Sequence, residues 1–105
     1  MDKKSRNTLK QIVLVYEALR DKLKEMSSKF EELENKLSRL ESDEHFKLDN
    51  TPENLQNTFA YDERADKADM LTDISASATL ITVSCNELIG KIEDLLDDAD
   101  DVVSD

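Results

Sequence analysis

Leu9, Ile12, Tyr16, Leu19, Leu23, Met26, Phe30, Leu33, Leu37 and Leu40 follow one another at alternating intervals of three and four residues, and every one of these positions is apolar. That is the heptad rule for side chains facing another helix. Mostly Lys, Glu, Arg, Ser and Asn lie between them, which leaves one narrow stripe in need of a partner. The spacing predicts a helix over 9–41, roughly 48 Å long at about 1.5 Å per residue. A basic lead, residues 1–8, precedes it, and Ser5 to Thr8 offer capping oxygens for its first free amides. Val13, Leu14 and Val15 widen the stripe near its start. Further along, Lys22, Lys29 and Lys36 occupy one flank and Arg20, Ser27, Glu34 and Glu41 the other.

A second register runs through Leu71, Ile74, Ala78, Ile81, Cys85, Leu88, Ile92, Leu95, Ala99 and Val102, and Ile89, Leu96 and Val103 add apolar side chains on one flank. This predicts a heptad helix over 71–103 that meets more than one neighbour. Leu80 to Val83 alone could pass for a short strand, but the seven-residue spacing continues on both sides and reads as helix. Between the registers, residues 42–51 form a polar link, and Thr51-Pro52-Glu53 is a helix-start signal. A further helix is predicted over 52–70, with Leu55, Phe59, Ala65 and Ala68 on one face. The pattern leaves open whether it is continuous with the next.

The fold class that follows is all-α: an elongated antiparallel helical hairpin or coiled-coil bundle, with a shorter middle helix or an extended second arm. Charge supports the antiparallel sense. Residues 1–50 carry 11 Lys/Arg against 11 Asp/Glu, whereas residues 51–105 carry 3 against 14, so the net charge of −11 resides in the second half. Antiparallel pairing brings Lys3, Lys4, Arg6 and Lys10 toward Glu93, Asp94, Asp97, Asp98, Asp100 and Asp101. Free DNA, RNA and anionic lipid are poor partners for the acidic half. With one Cys, no signal-peptide pattern and no run long enough to span a bilayer, a reducing compartment is expected, nucleus or cytoplasm.

Catalytic raw material is scarce. His45, the sole His, falls in the polar link, and Cys85 takes a seam position suited to a small hydrophobe. The Asp97-Asp98-Ala99-Asp100-Asp101 run lacks the Gly and distal Glu of a calcium loop. No enzyme activity, cofactor or metal site is expected.

Asn86-Glu87-Leu88-Ile89-Gly90-Lys91-Ile92-Glu93-Asp94-Leu95-Leu96 resembles the "ESLxxLVxDLKxxLI" stretch of the Mediator head subunit family also called the Surfeit locus protein five family. Tyr16, Leu19 and Leu23 with Phe30-Glu31-Glu32 are similar to that family's first helix, so the likeness loosely covers residues 14–97. Gly90 and the Asp-rich end depart from the family's apolar continuation, and the further downstream helix of its longer members is missing. The resemblance implies a nuclear, non-catalytic subunit acting in RNA polymerase II transcription regulation and bundled with another small head subunit. Two other readings stand beside it. One is a homodimeric coiled-coil scaffold or adaptor of the kinetochore or tethering kind. It is favoured by Lys29–Glu34 and Lys36–Glu41 pairs between parallel copies, and opposed by Tyr16 and Phe30, which fit a two-stranded seam badly. The other is an acidic mimic of nucleic acid. The expected partner-binding seam residues are Val13, Val15, Tyr16, Leu23, Phe30, Leu33, Leu88, Ile89, Ile92, Leu96 and Val103, with other helical subunits, in a heteromeric complex rather than a homodimer, as partners and neither nucleic acid nor membrane.

Overall fold

The computed structural model describes residues 1–104, is 92% helical and contains no strand among them. Helix α1 spans Lys3–Asp49, a single 3-10 turn covers Glu53–Leu55, and helix α2 spans Phe59–Ser104. The topology is an all-α antiparallel hairpin of the extended-arm kind.

Helix α1 begins earlier than the Ser5 to Thr8 stretch because its cap lies inside the lead. Asp2 Oδ1 accepts the Ser5 N–H at 2.7 Å, a side-chain acceptor for an amide that has no partner in the helix. The Ser5 backbone amide, then its hydroxyl, hold the Asp2 carboxyl below its ordinary 3.8. The cap is therefore complete above that value and is lost as pH falls through the lowered one.

The helix also runs past residue 41, through the stretch expected to be a link. Residues 42–49 contain no Gly or Pro, Glu44 bonds Lys47 at 3.3 Å one turn on, and buried Leu48 anchors the last turn. The end itself uses side chains in place of a left-handed residue. Thr51 Oγ1 donates to Lys47 O at 2.9 Å, satisfying a carbonyl the helix leaves open, and Asn50 Nδ2 donates at 2.8 Å to Phe46 O, which also accepts the Asn50 N–H.

The start signal at Thr51-Pro52-Glu53 yields only the 3-10 turn, and the cap of α2 is Thr58, whose Oγ1 accepts the Tyr61 N–H at 3.2 Å. Leu55 and Phe59 are consequently exposed, while Ala65 and Ala68 of the expected face do turn inward, together with Tyr61. From there α2 is one uninterrupted helix. Ala68 is only 2% exposed, so the place where a break was open is among the most enclosed in the chain. The β-branched stretch stays helical, with the Thr82 hydroxyl donating to the carbonyl of Ala78.

The chain forms two compact units, residues 1–29 with the stretch from Val83 onward, and Phe30–Thr82. In each, part of α1 runs antiparallel to part of α2. The first unit holds the Ser27–Asn86 hydrogen bond and the Lys24–Glu93 ion pair. The second holds Glu34–Thr79, Glu41–Thr72 and Glu44–Arg64.

Because the Thr58 hydroxyl caps α2 whereas Thr51 only decorates the end of α1, Thr58→Ala is expected to cost about 1 kcal/mol. Thr51→Ala should cost less than half of that. Urea unfolding midpoints of the two variants check the order, and a larger loss at Thr51 would return the start of α2 to the Pro52 signal.

Candidate helix-docking face

Which side of each helix meets the other is read from a row of inward residues. In α1 the Leu9, Tyr16, Leu23, Phe30, Leu37 row is half-buried, as the heptad predicts. The second inward row is Val13, Arg20, Ser27, Glu34, Glu41 and Leu48; the Ile12, Leu19, Met26, Leu33, Leu40 row is exposed. Helix α2 behaves the same way. Leu71, Ala78, Cys85, Ile92 and Ala99 face inward with Ser75, Thr82, Ile89, Leu96 and Val103, while Ile74, Ile81, Leu88, Leu95 and Val102 are exposed. Each helix is thus turned about its axis away from a simple two-stranded seam.

The turn has a chemical cause. The polar row of α1 has partners at matching seven-residue steps on α2. Ser27 Oγ donates to Asn86 Oδ1 at 2.6 Å, Thr79 Oγ1 donates to Glu34 Oε1 at 2.8 Å, and Thr72 Oγ1 donates to Glu41 Oε1 at 2.9 Å. Rotating either helix to bury its exposed apolar row would pull these pairs apart. The cost bears most on Ser27, which is buried, because a buried polar group without a partner is expensive.

Helical geometry then fixes where the exposed rows lie. At about 100° per residue, the Ile12 row sits roughly 60° to one side of the Leu9 row and the Val13 row about 40° to the other. The same offsets hold on α2. Seen end-on, an antiparallel partner reverses both its direction and the sense of its turn, so the exposed rows of the two helices emerge on one side of the pair and the hydrogen bonds on the opposite side. In the first unit this places Ile12, Leu19 and Met26 beside Val102, Leu95 and Leu88. All six are between 37% and 47% exposed: half of each side chain rests on the hairpin and half is bare. By itself, the second unit repeats the pattern with Leu33 and Leu40 beside Ile81 and Ile74.

These positions revise the expected partner surface. Val13, Tyr16, Leu23, Ile89 and Val103 are half-buried, and Ile92 and Leu96 are buried, inside the first unit's own pairing. Phe30 is half-buried in the second. The flank formed by Val13, Ile89, Leu96 and Val103 is therefore taken up by the chain itself, because it is the row facing the other helix. Val15, Leu33 and Leu88 are exposed. Ile12, Leu19, Met26, Leu95 and Val102 were assigned to the internal seam and stand outside it.

The opposite side of the first unit carries a groove of about 480 Å³ bordered by Lys10, Arg20, Asp97 and Asp100 over a floor that includes Val13 and Leu96. Of the basic start, Lys10 lines this groove with Asp97 and Asp100 of the acidic end. Cys85 is buried and its thiol donates to Leu23 O at 3.6 Å. In the second unit, with the Thr72 hydroxyl proton directed to Glu41, the His45 Nε2–H donates to Thr72 Oγ1 at 3.1 Å. The imidazole is then a donor toward that hydroxyl and is not placed to take its proton. Among the described residues no helix is long and apolar enough to cross a membrane.

Compared with family models, curated proteins and solved structures, the chain finds no match.

Because Leu96 is enclosed by the hairpin and Leu88 stands on the outer row, Leu96→Ala is expected to cost about 2–5 kcal/mol. Leu88→Ala should cost less than about 1 kcal/mol in the isolated chain. Thermal or urea unfolding of the two variants decides it, and equal losses would show that α2 is turned the other way.

Proposed function

We propose that this chain is a non-catalytic helical subunit of a multiprotein complex, which uses its exposed apolar rows to bind helices of other proteins. The observation that carries this reading is the pair of half-bare rows lying side by side, Ile12, Leu19 and Met26 with Leu88, Leu95 and Val102. Isolated exposed apolar residues are ordinary, but contiguous rows at seven-residue spacing are the surface a further helix covers. Membership of the Mediator head, in the nucleus and in RNA polymerase II transcription, is the narrower form of the proposal. It draws on residues 86–96, whose Leu88 and Leu95 belong to the bare row.

The test is fractionation of native extract in high salt with the chain tagged. The chain is expected in an assembly much larger than its own 12.0 kDa, and Leu19→Glu with Leu95→Glu should release it, because charges enclosed in a helix interface lack compensation. Circular dichroism of the double variant should keep most of its helical signal, since the hairpin covers both side chains only in part. A wild-type chain migrating alone would end the subunit reading. Mediator head subunits in the same fraction decide the narrower form.

A further inference from the structure

The bare rows of the first unit have a charged border. Val15, Lys22 and Lys29 each lie three residues beyond a member of the Ile12, Leu19, Met26 row, about 60° further round α1, and all three are exposed. Among the described residues, the ion pairs engage Arg20, Lys24, Lys36, Lys47, Arg64 and Lys67, and neither Lys22 nor Lys29. On α2 the corresponding border is Ser84, Lys91 and Asp98. The apolar face is thus edged along α1 by two lysines one heptad apart. Charges in that place select the neighbour of a coiled coil.

Resting on the subunit reading above, we infer that the occupant of this face is an amphipathic helix of a different protein. It carries an apolar heptad stripe against Ile12, Leu19, Met26, Leu88, Leu95 and Val102, and a row of Glu or Asp along the edge that meets Lys22 and Lys29. A second copy of this chain answers the border poorly. Laying α1 on α1 sets the lysine row against its own image. If α1 lies on α2 at the level fixed by the Ser27–Asn86 bond, counting five residues back on one helix and five on along the other sets Lys22 beside Lys91. Two steps on from Ser27, Lys29 falls beside Ser84. Neither arrangement sets a carboxylate opposite Lys22 or Lys29; Asp98 of the α2 border falls beside Val15.

The test uses the full chain and two synthetic three-heptad peptides that share one Leu stripe and carry either Glu or Lys at every flanking position. The Glu peptide should bind about tenfold more tightly at low salt. That advantage should vanish near 1 M salt, where the screening length is about 3 Å, and Lys22→Glu with Lys29→Glu should reverse the preference. Equal binding of both peptides, an unchanged preference in the double variant, or binding of neither would overturn the acidic-helix assignment. A stable dimer of the chain alone that neither peptide disrupts would overturn it in favour of self-association. Failure here is separable from failure of the subunit reading, which the native-extract fractionation decides without any peptide.

Discussion

The rotation of each helix about its own axis is the constraint on which the other features depend. Both helices offer three adjacent rows that an antiparallel partner could cover, and the choice among them is made by polar chemistry. Ser27, Glu34 and Glu41 recur every seventh residue on α1, and Asn86, Thr79 and Thr72 recur every seventh residue on α2. Their hydrogen bonds form only when the α1 row that contains them turns toward α2. Each such bond contributes only about 1 kcal/mol net. In the second unit Glu34–Thr79 and Glu41–Thr72 act together, because a helix cannot rotate at one rung and not at the next; in the first unit Ser27–Asn86 acts from a buried serine.

The residues that meet inside the pairing are ones from which an isolated chain is expected to draw little stability. Its buried positions are dominated by small side chains, Ala68, Cys85 and Ala99 with Ser27 and Thr82, beside Leu48, Ile92 and Leu96. No large side chain is fully enclosed among the described residues. Small residues let two helices approach, but they remove little apolar area from water. Stability therefore comes from many weak contributions: caps at Asp2 and Thr58, exposed ion pairs worth about 0 to 1 kcal/mol each, and a thin seam. Local opening within each unit should accordingly cost less than in a globular core.

Much of this was legible in the residues, and the part that was not has a definite physical reason. The inward Leu9 and Leu71 rows, the antiparallel sense and the all-α class follow from periodicity and charge. The second inward row follows only in part, because Val13 with Ile89, Leu96 and Val103 stands out as apolar, whereas Arg20, Ser27, Glu34 and Glu41 do not. Heptad spacing reports that a stripe is apolar, and a stripe has two edges. With Ile12, Leu19, Met26, Leu33 and Leu40 on one edge and Arg20, Ser27, Glu34 and Glu41 on the other, hydrophobicity alone points to the wrong edge. The signal that could have corrected it was the complementary spacing of Ser, Thr, Asn and Glu on the two helices. The boundaries went astray for a related reason. Thr51-Pro52 and Thr58 are both plausible caps locally, and Tyr61, Ala65 and Ala68, the inward face of α2, begin after the second.

A chain with one apolar row on each helix turned away from its own seam has its energetics divided between folding and binding. Folding is carried by the inward Leu9 and Leu71 rows, with Ile92 and Leu96, together with the small residues of the seam and the polar edge; further Leu, Ile and Met side chains, Ile12, Leu19, Met26, Leu88 and Leu95 among them, stand partly bare on the other side. Covering them would add hydrophobic stabilisation that the isolated hairpin lacks, and by mass action any helix that occupies them stabilises the folded chain as it binds. The same division limits what can occupy the face. If the rows were part of the internal seam, specificity would have to come from the ends of the helices. Left bare and bordered by Lys22 and Lys29 on α1, they impose a requirement on the incoming helix along its whole edge, and that requirement is one this acidic chain does not meet for itself.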